Sequence, residues 1–285
     1  MKTFLKKYWP IIVLGIILLT ISILSFVPDK YLLSNDNYSP ELNPKLTILR
    51  SLISPAWRSY RVLGFASDSE QADIFRAGLL GFMDLLLPNS SVAQIFSLLS
   101  IWVGTFSTAF ITYFLVRDFV KTKFAKVSFL IAGVLYLTTL WTAWVFNFNM
   151  MPYITQFGFL PLVILCIYLL FENWSYLRLL YLFLALILFT ATSVIATLFF
   201  VDIVLVVFFT LFFGFLFKYK IKKIILTICI ILVTQLFWLL PFLGYTISAS
   251  NNLIGSYTNR SITASTIDLE KDMMTISNSA RVFTR

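Results

Sequence analysis

The chain has no histidine and only two cysteines, and just 12% of its residues are charged. Without imidazole it can build neither a Ser-His-Asp triad nor a histidine metal site. Cys166 and Cys229 both lie inside apolar runs, where free cysteine behaves as a small hydrophobe, and they say nothing about redox compartment. A Gly-rich loop closing on Gly-Lys-Ser/Thr is also missing, which removes the signature of an ATP-driven pump. Proton chemistry in this chain falls to carboxylates.

What fills the sequence instead is apolar bulk. Hydrophobic residues make up 59% and aromatics 18%, against about 45–50% apolar in a soluble domain. No soluble fold covers that much apolar surface, so the bilayer is the solvent. A spanning helix takes about 20 apolar residues, because about 30 Å of hydrocarbon is crossed at about 1.5 Å per residue. The pattern predicts an all-α, polytopic transmembrane bundle of about seven spans: 8–27, 92–116, 127–146, 153–171, two within 177–217, and 224–245. The 177–217 run is about twice the length of one span, and it is divided at Thr190-Ala191-Thr192-Ser193. The first apolar run ends in Pro28-Asp29-Lys30 with no small-residue cleavage site, so it reads as a retained span and not a signal peptide. Residues 1–245 form the membrane region, and 246–285 form a polar tail.

The net charge of +9 does not point to nucleic acid, because the basic residues sit at the ends of apolar runs. Three lie at the amino terminus, four in 117–126, one in 172–178 and four in 218–223, while the short loops around Asn149 and Thr192 hold none. That asymmetry predicts a multi-pass protein of the cell membrane with its amino terminus in the cytoplasm. The tail and the long first loop, 28–91, are then extracytoplasmic.

That loop carries seven of the thirteen acids, namely Asp29, Asp36, Glu41, Asp68, Glu70, Asp73 and Asp84. Six basic residues accompany them: Lys30, Lys45, Arg50, Arg58, Arg61 and Arg76. Two segments read as juxtamembrane helices. The first, 44–53, has Leu46, Leu49 and Ile53 on one face; the second, 71–87, has Ile74, Phe75, Leu79, Phe82 and Met83. Either they cover the outside of the bundle with their charges solvated, or they wall a membrane-level pocket. Such a pocket would use a carboxylate as base, arginines for phosphate oxygens and apolar walls for a lipid tail.

Several residues in this region carry a resemblance. They are Asp36 in Ser34-Asn35-Asp36-Asn37, Trp57 in Pro55-Ala56-Trp57-Arg58, Leu63-Gly64-Phe65, the 79–88 helix, Gln94, and the 152–165 return. In these the chain resembles the GT-C class of membrane glycosyltransferases, and most of all the amino-terminal region of bacterial arabinofuranosyltransferases. The resemblance implies transfer of a sugar from a polyprenyl-phosphate donor to a glycan or lipid acceptor outside the cytoplasmic membrane, in cell-envelope assembly. It implies Asp36 as catalytic base, with Arg58 and Arg61 against the donor phosphate. Asp68 and Glu70 are the alternative carboxylates, and two acids that close together in a loop also suit a divalent metal. Members of that class usually have more spans and a carboxy-terminal soluble part, so the chain reads as a fragment whose 246–285 tail starts a further region, as a split gene, or as a shortened relative.

Asp202, in Phe200-Val201-Asp202-Ile203, is the acid placed inside a span. Intramembrane acids usually face a bundle interior or a water cavity; the alternative is an offset span that brings Asp202 near an interface. A transporter or flippase for lipid-linked saccharides would distribute polar residues through its spans and show repeats. Asp202 alone matches that pattern, and a non-catalytic envelope protein is the third reading.

Overall fold

A computed structural model of the chain describes residues 2–30, 69–148 and 151–255, with 45, 48, 57–58 and 65–66 between them. Ten α-helices have described bounds: α1 (Lys2–Ser25), α2 (Ile74–Met83), α3 (Asn89–Val116), α4 (Thr122–Thr138), α5 (Leu140–Phe148), α6 (Met151–Glu172), α7 (Tyr176–Phe189), α8 (Ala196–Leu216), α9 (Ile221–Val233) and α10 (Leu236–Gly255). Two 3-10 turns, Ser69–Asp73 and Thr190–Val194, lie before α2 and α8. Strands β1 (Trp57–Arg58) and β2 (Phe65–Ala66) pair antiparallel, Trp57 opposite Ala66. Of the predicted 44–53 helix only positions 45 and 48 are described, and both are helical.

Among the described residues five helices are long and apolar enough to cross a membrane, and a sixth span forms if the α9–α10 pair counts as one. This is the helical membrane architecture that the composition predicts. The break expected inside 177–217 is present: the chain leaves α7 at Phe189, turns through Thr190–Val194 and re-enters a helix at Ala196.

Two of the predicted spans are not straight helices. The 127–146 span is divided between α4 and α5, with Thr139 extended between them (ψ 149°). Thr139 Oγ1 accepts from the N–H of Thr142 at 3.2 Å, the geometry of an N-cap three residues ahead. The Thr142 hydroxyl donates to Tyr136 O at 2.6 Å, satisfying a carbonyl that the break would orphan. The 224–245 span bends by 60° between α9 and α10. Thr234 and Gln235 fill the bend: the Thr234 N–H still bonds to Ile230 O, the Gln235 N–H shifts to Leu232 O, and their side chains bond to Ile231 O and to Trp238 Nε1.

The bundle is centred on α3 against α6, which brings backbones close where side chains are small. Pro161 lies inside α6 and removes the N–H that would serve Phe157 O. The Tyr136 hydroxyl takes over, donating to that carbonyl at 2.7 Å. Gly104 of α3 approaches the same carbonyl, and a Cβ on Gly104 would meet Phe157 O at 2.3 Å. Gly158 faces Ser100 in the same way, its added Cβ falling 2.9 Å from Ser100 Cα. Because the obstacle is backbone, Gly104→Val is expected to push α3 and α6 apart at an overpacking cost of about 1–3 kcal/mol. Detergent-titrated unfolding of the reconstituted protein measures it; an unchanged midpoint would show that the two helices do not pack here.

Of the apolar face read along α2, Met83 is buried and Ile74 and Leu79 are half-buried. Ala77, Leu80, Gly81, Met83 and Arg76 are buried, whereas Phe75 and Phe82 are exposed. Phe75 meets Phe237 of α10 edge to face at 5.2 Å, and Phe82 is the more exposed of the two rings. Amphipathicity located the helix and part of the side by which it docks.

Candidate functional site

The long loop is fastened to the bundle at both ends. Where it leaves α1, the buried Gln94 side chain of α3 holds the chain: its Oε1 accepts from Val27 N–H at 3.0 Å. Its Nε2 donates to Val27 O at 2.9 Å and Lys30 O at 2.5 Å. A side-chain amide thus replaces partners that the frayed end of α1 lacks. Where the loop returns, Thr190 Oγ1 lies 2.9 Å from Ala72 O and 2.8 Å from Ile187 O, its single hydrogen shared between the two carbonyls, and this contact joins the two 3-10 turns. Ala72 packs with Phe199 and Trp238 in a small buried cluster, the two rings edge to face at 4.8 Å.

Next to that anchor lies a buried ion pair. Arg76 Nε donates to Asp73 Oδ1 at 2.5 Å and Nη2 to Oδ2 at 2.7 Å, a two-pronged contact between residues one helical turn apart. Arg76 is 4% exposed and Asp73 8%.

Gln94 also walls a cleft of about 510 Å³ between α1, α3 and the α4–α5 junction. Ser25, Ser97, Thr138, Thr139 and Thr142 bring hydroxyls to it, and Ile21, Leu98, Ile101 and Phe146 bring apolar surface. The hydroxyls of Ser97, Thr138 and Thr142 donate to helix carbonyls, so what they offer a ligand is acceptor lone pairs. Such a cleft suits a molecule with its own hydroxyl donors and an apolar portion.

Asp202 is fully buried. It stands six residues into α8, about 9 Å from the start of the helix at about 1.5 Å per residue. It therefore lies off the bilayer centre, toward the loop-bearing end, and inside the bundle all the same. Gln156 Nε2 of α6 donates to its Oδ1 at 2.6 Å. Its Oδ2 receives no hydrogen bond among the described residues.

Of the other predicted site residues, Asp36, Arg61 and Asp68 lie outside the described residues. Arg58 is in β1 opposite Phe65, and Glu70 is in the Ser69–Asp73 turn that abuts the bundle. Among the described residues no three acidic or cysteine side chains gather into a metal cage. Sequence reasoning missed Asp73, Arg76 and Gln156. The three-residue spacing of Asp73 and Arg76 is a signal for a helical ion pair. Gln156 had none, since it meets Asp202 across 46 positions of chain.

No family model, no curated protein and no solved structure matches the chain.

Proposed function

We propose that the chain is a membrane glycosyltransferase of the GT-C type, using a polyprenyl-phosphate-linked sugar outside the membrane. The observation that carries this reading is the double anchoring of the long loop, by Gln94 at Lys30 and by Thr190 at Ala72. The two anchors fix the described ends of the loop, Lys30 and Ala72, against the bundle, and a lipid-linked donor would present its sugar at the membrane surface. The hydroxyl-lined cleft beside the first anchor supports the same reading, since it combines polar and apolar surface within reach of the loop.

In the proposed reaction Asp36 takes the proton of the acceptor hydroxyl. The acceptor oxygen bonds to the anomeric carbon as the bond from that carbon to the donor phosphate oxygen breaks. The polyprenyl phosphate leaves with its charge against Arg58 and Arg61, whose planar forks suit phosphate oxygens. The test is the full chain reconstituted in vesicles with a radiolabelled polyprenyl-phosphate pentose and a glycan acceptor. Label is expected to move to the acceptor; retention of all label on the lipid across pentose and hexose donors overturns the reading.

The reading also requires the loop and the tail to share the extracytoplasmic side. Cysteines at Ser67 and Ser256, in a chain lacking Cys166 and Cys229, are expected to react with an impermeant thiol reagent in intact cells. Reaction of either one only after permeabilisation would put the two segments on opposite faces or the whole orientation in reverse.

A further inference from the structure

The cleft beside Gln94 has almost no hydrogen to give. Gln94 commits both amide hydrogens to Val27 O and Lys30 O. Ser97 Oγ donates to Ala93 O at 2.8 Å and Thr138 Oγ1 to Val134 O at 3.1 Å. The hydroxyls of Thr139 and Thr142 meet at 2.7 Å, and because Thr142 donates to Tyr136 O, the hydrogen between them is that of Thr139. The backbone amides there are engaged as well: Thr142 N–H bonds to Thr139 Oγ1 and Ala143 N–H to Thr139 O. Ser25, exposed at the rim, is the lining hydroxyl with no partner among the described residues. Elsewhere the polar side chains of the wall present lone pairs.

Polarity also changes with depth. α1 ends at Ser25 beside the start of α3, and α4 ends at Thr138 on the same side, so the hydroxyls gather at the loop-bearing end of the cleft. The deeper walls are apolar. Ile21 is one turn below Ser25, about 6 Å, and Ile101 is seven residues beyond Gln94, about 10 Å. Among the described residues that line the cleft none is charged. A phosphate or carboxylate would meet lone pairs with no cation to offset them, and an ammonium would be desolvated with no acid to pair. We propose that this cleft binds a neutral lipid with a hydroxylated head group, an uncharged glycosyl diacylglycerol being the type, drawn from the leaflet at the loop-bearing end.

The head-group hydroxyls donate to Ser97, Thr138 and Thr142, and the chains run down against Ile21, Leu98 and Ile101. About 510 Å³ lies within the range of small-molecule sites, about 300–1,000 Å³, and holds a head group with the beginning of its chains rather than a whole lipid. The remainder of the chains leaves sideways. Thr138, Thr139 and Ala143 are exposed, which puts the opening at the α4–α5 junction, where Thr139 departs from helical geometry. This site is separate from Arg58 and Arg61, the phosphate-binding residues of the transferase reading, and it stands whether or not a sugar is transferred.

Native mass spectrometry of the full chain released from detergent micelles reads bound lipid directly, with no transfer assay involved. Monoglucosyl diacylglycerol, phosphatidylglycerol and phosphatidylethanolamine of matched chains are offered together in equal amounts. Phosphatidylglycerol carries hydroxyls and a phosphate, so it isolates the effect of charge. The glucosyl lipid is expected to be retained in preference to both phospholipids. Ser97→Ala with Thr138→Val, which removes two acceptors, should weaken its retention by about tenfold, the worth of two neutral hydrogen bonds. Ala143→Trp, which fills the cleft from an exposed position, should abolish it. Equal retention of the three lipids, preference for either phospholipid, or glucosyl-lipid binding indifferent to both variants overturns the proposal. If the double variant does not fold, Ala143→Trp decides alone. If neither folds, the wild type decides: preference for the glucosyl lipid supports the site, and its lack overturns it.

Discussion

Asp36→Asn is expected to lower sugar transfer by about 10²–10⁴-fold, the usual worth of a positioned general base, with expression and membrane insertion unchanged. The expectation belongs to the proposed transferase and rests on a short tether. Gln94 holds the Lys30 carbonyl, and six residues of fully extended chain reach at most about 20 Å. Asp29→Asn is the control. Asp29 sits at φ 59° in the turn that ends α1, a left-handed conformation that asparagine adopts as readily as aspartate, so this change removes a charge without disturbing the backbone. Measured in the reconstituted assay, activity that survives Asp36→Asn and disappears on Asp68→Asn would move the base to the second acidic pair. Activity indifferent to both would remove this loop from the chemistry.

Arg76→Met is expected to destabilise the protein by about 3–5 kcal/mol, the cost of leaving a buried charge without its partner. The guanidinium is nearly inaccessible and grips both oxygens of Asp73. Methionine keeps most of the apolar stem but supplies no donor. The double change Asp73→Leu with Arg76→Met should recover most of the loss, because a buried pair replaced whole by apolar residues is often neutral or better. Detergent-titrated unfolding gives both values, and limited proteolysis of the loop gives an independent reading, since the pair adjoins the Thr190–Ala72 anchor. A single variant within about 0.5 kcal/mol of wild type, the range of ordinary surface substitutions, would mean that the pair is solvated in the membrane-bound protein.

The membrane class, the helical content and the break at 190–195 were all legible from composition and length, because hydrocarbon thickness fixes how long an apolar helix can be. The division at Thr139 left a trace as well: Thr139 is three residues ahead of Thr142, as an N-cap requires, but two threonines in an apolar run look no different from tolerated polar residues. The bend at Thr234–Gln235 is similar. Proline would have been the obvious breaker there, yet Pro241 lies inside α10 and the chain bends six residues earlier. Which partner a side chain bonds is decided by what lies across the bundle.

By itself, then, the sequence determined where apolar segments begin and end, since that is a property of single stretches read against the bilayer. It also placed an acid, Asp202, in a span. Only the tertiary structure decided that Gln156 meets Asp202, that Tyr136 serves the carbonyl Pro161 leaves open, and that α2 docks by Ala77 and Leu80 as well as by Met83. These are pairings between segments distant in the chain. In lipid the apolar faces of helices compete equally with the solvent, so hydrophobicity does not say which face packs inward. Backbone approach at Gly104 and Gly158, and the need to satisfy each buried polar atom, make that choice.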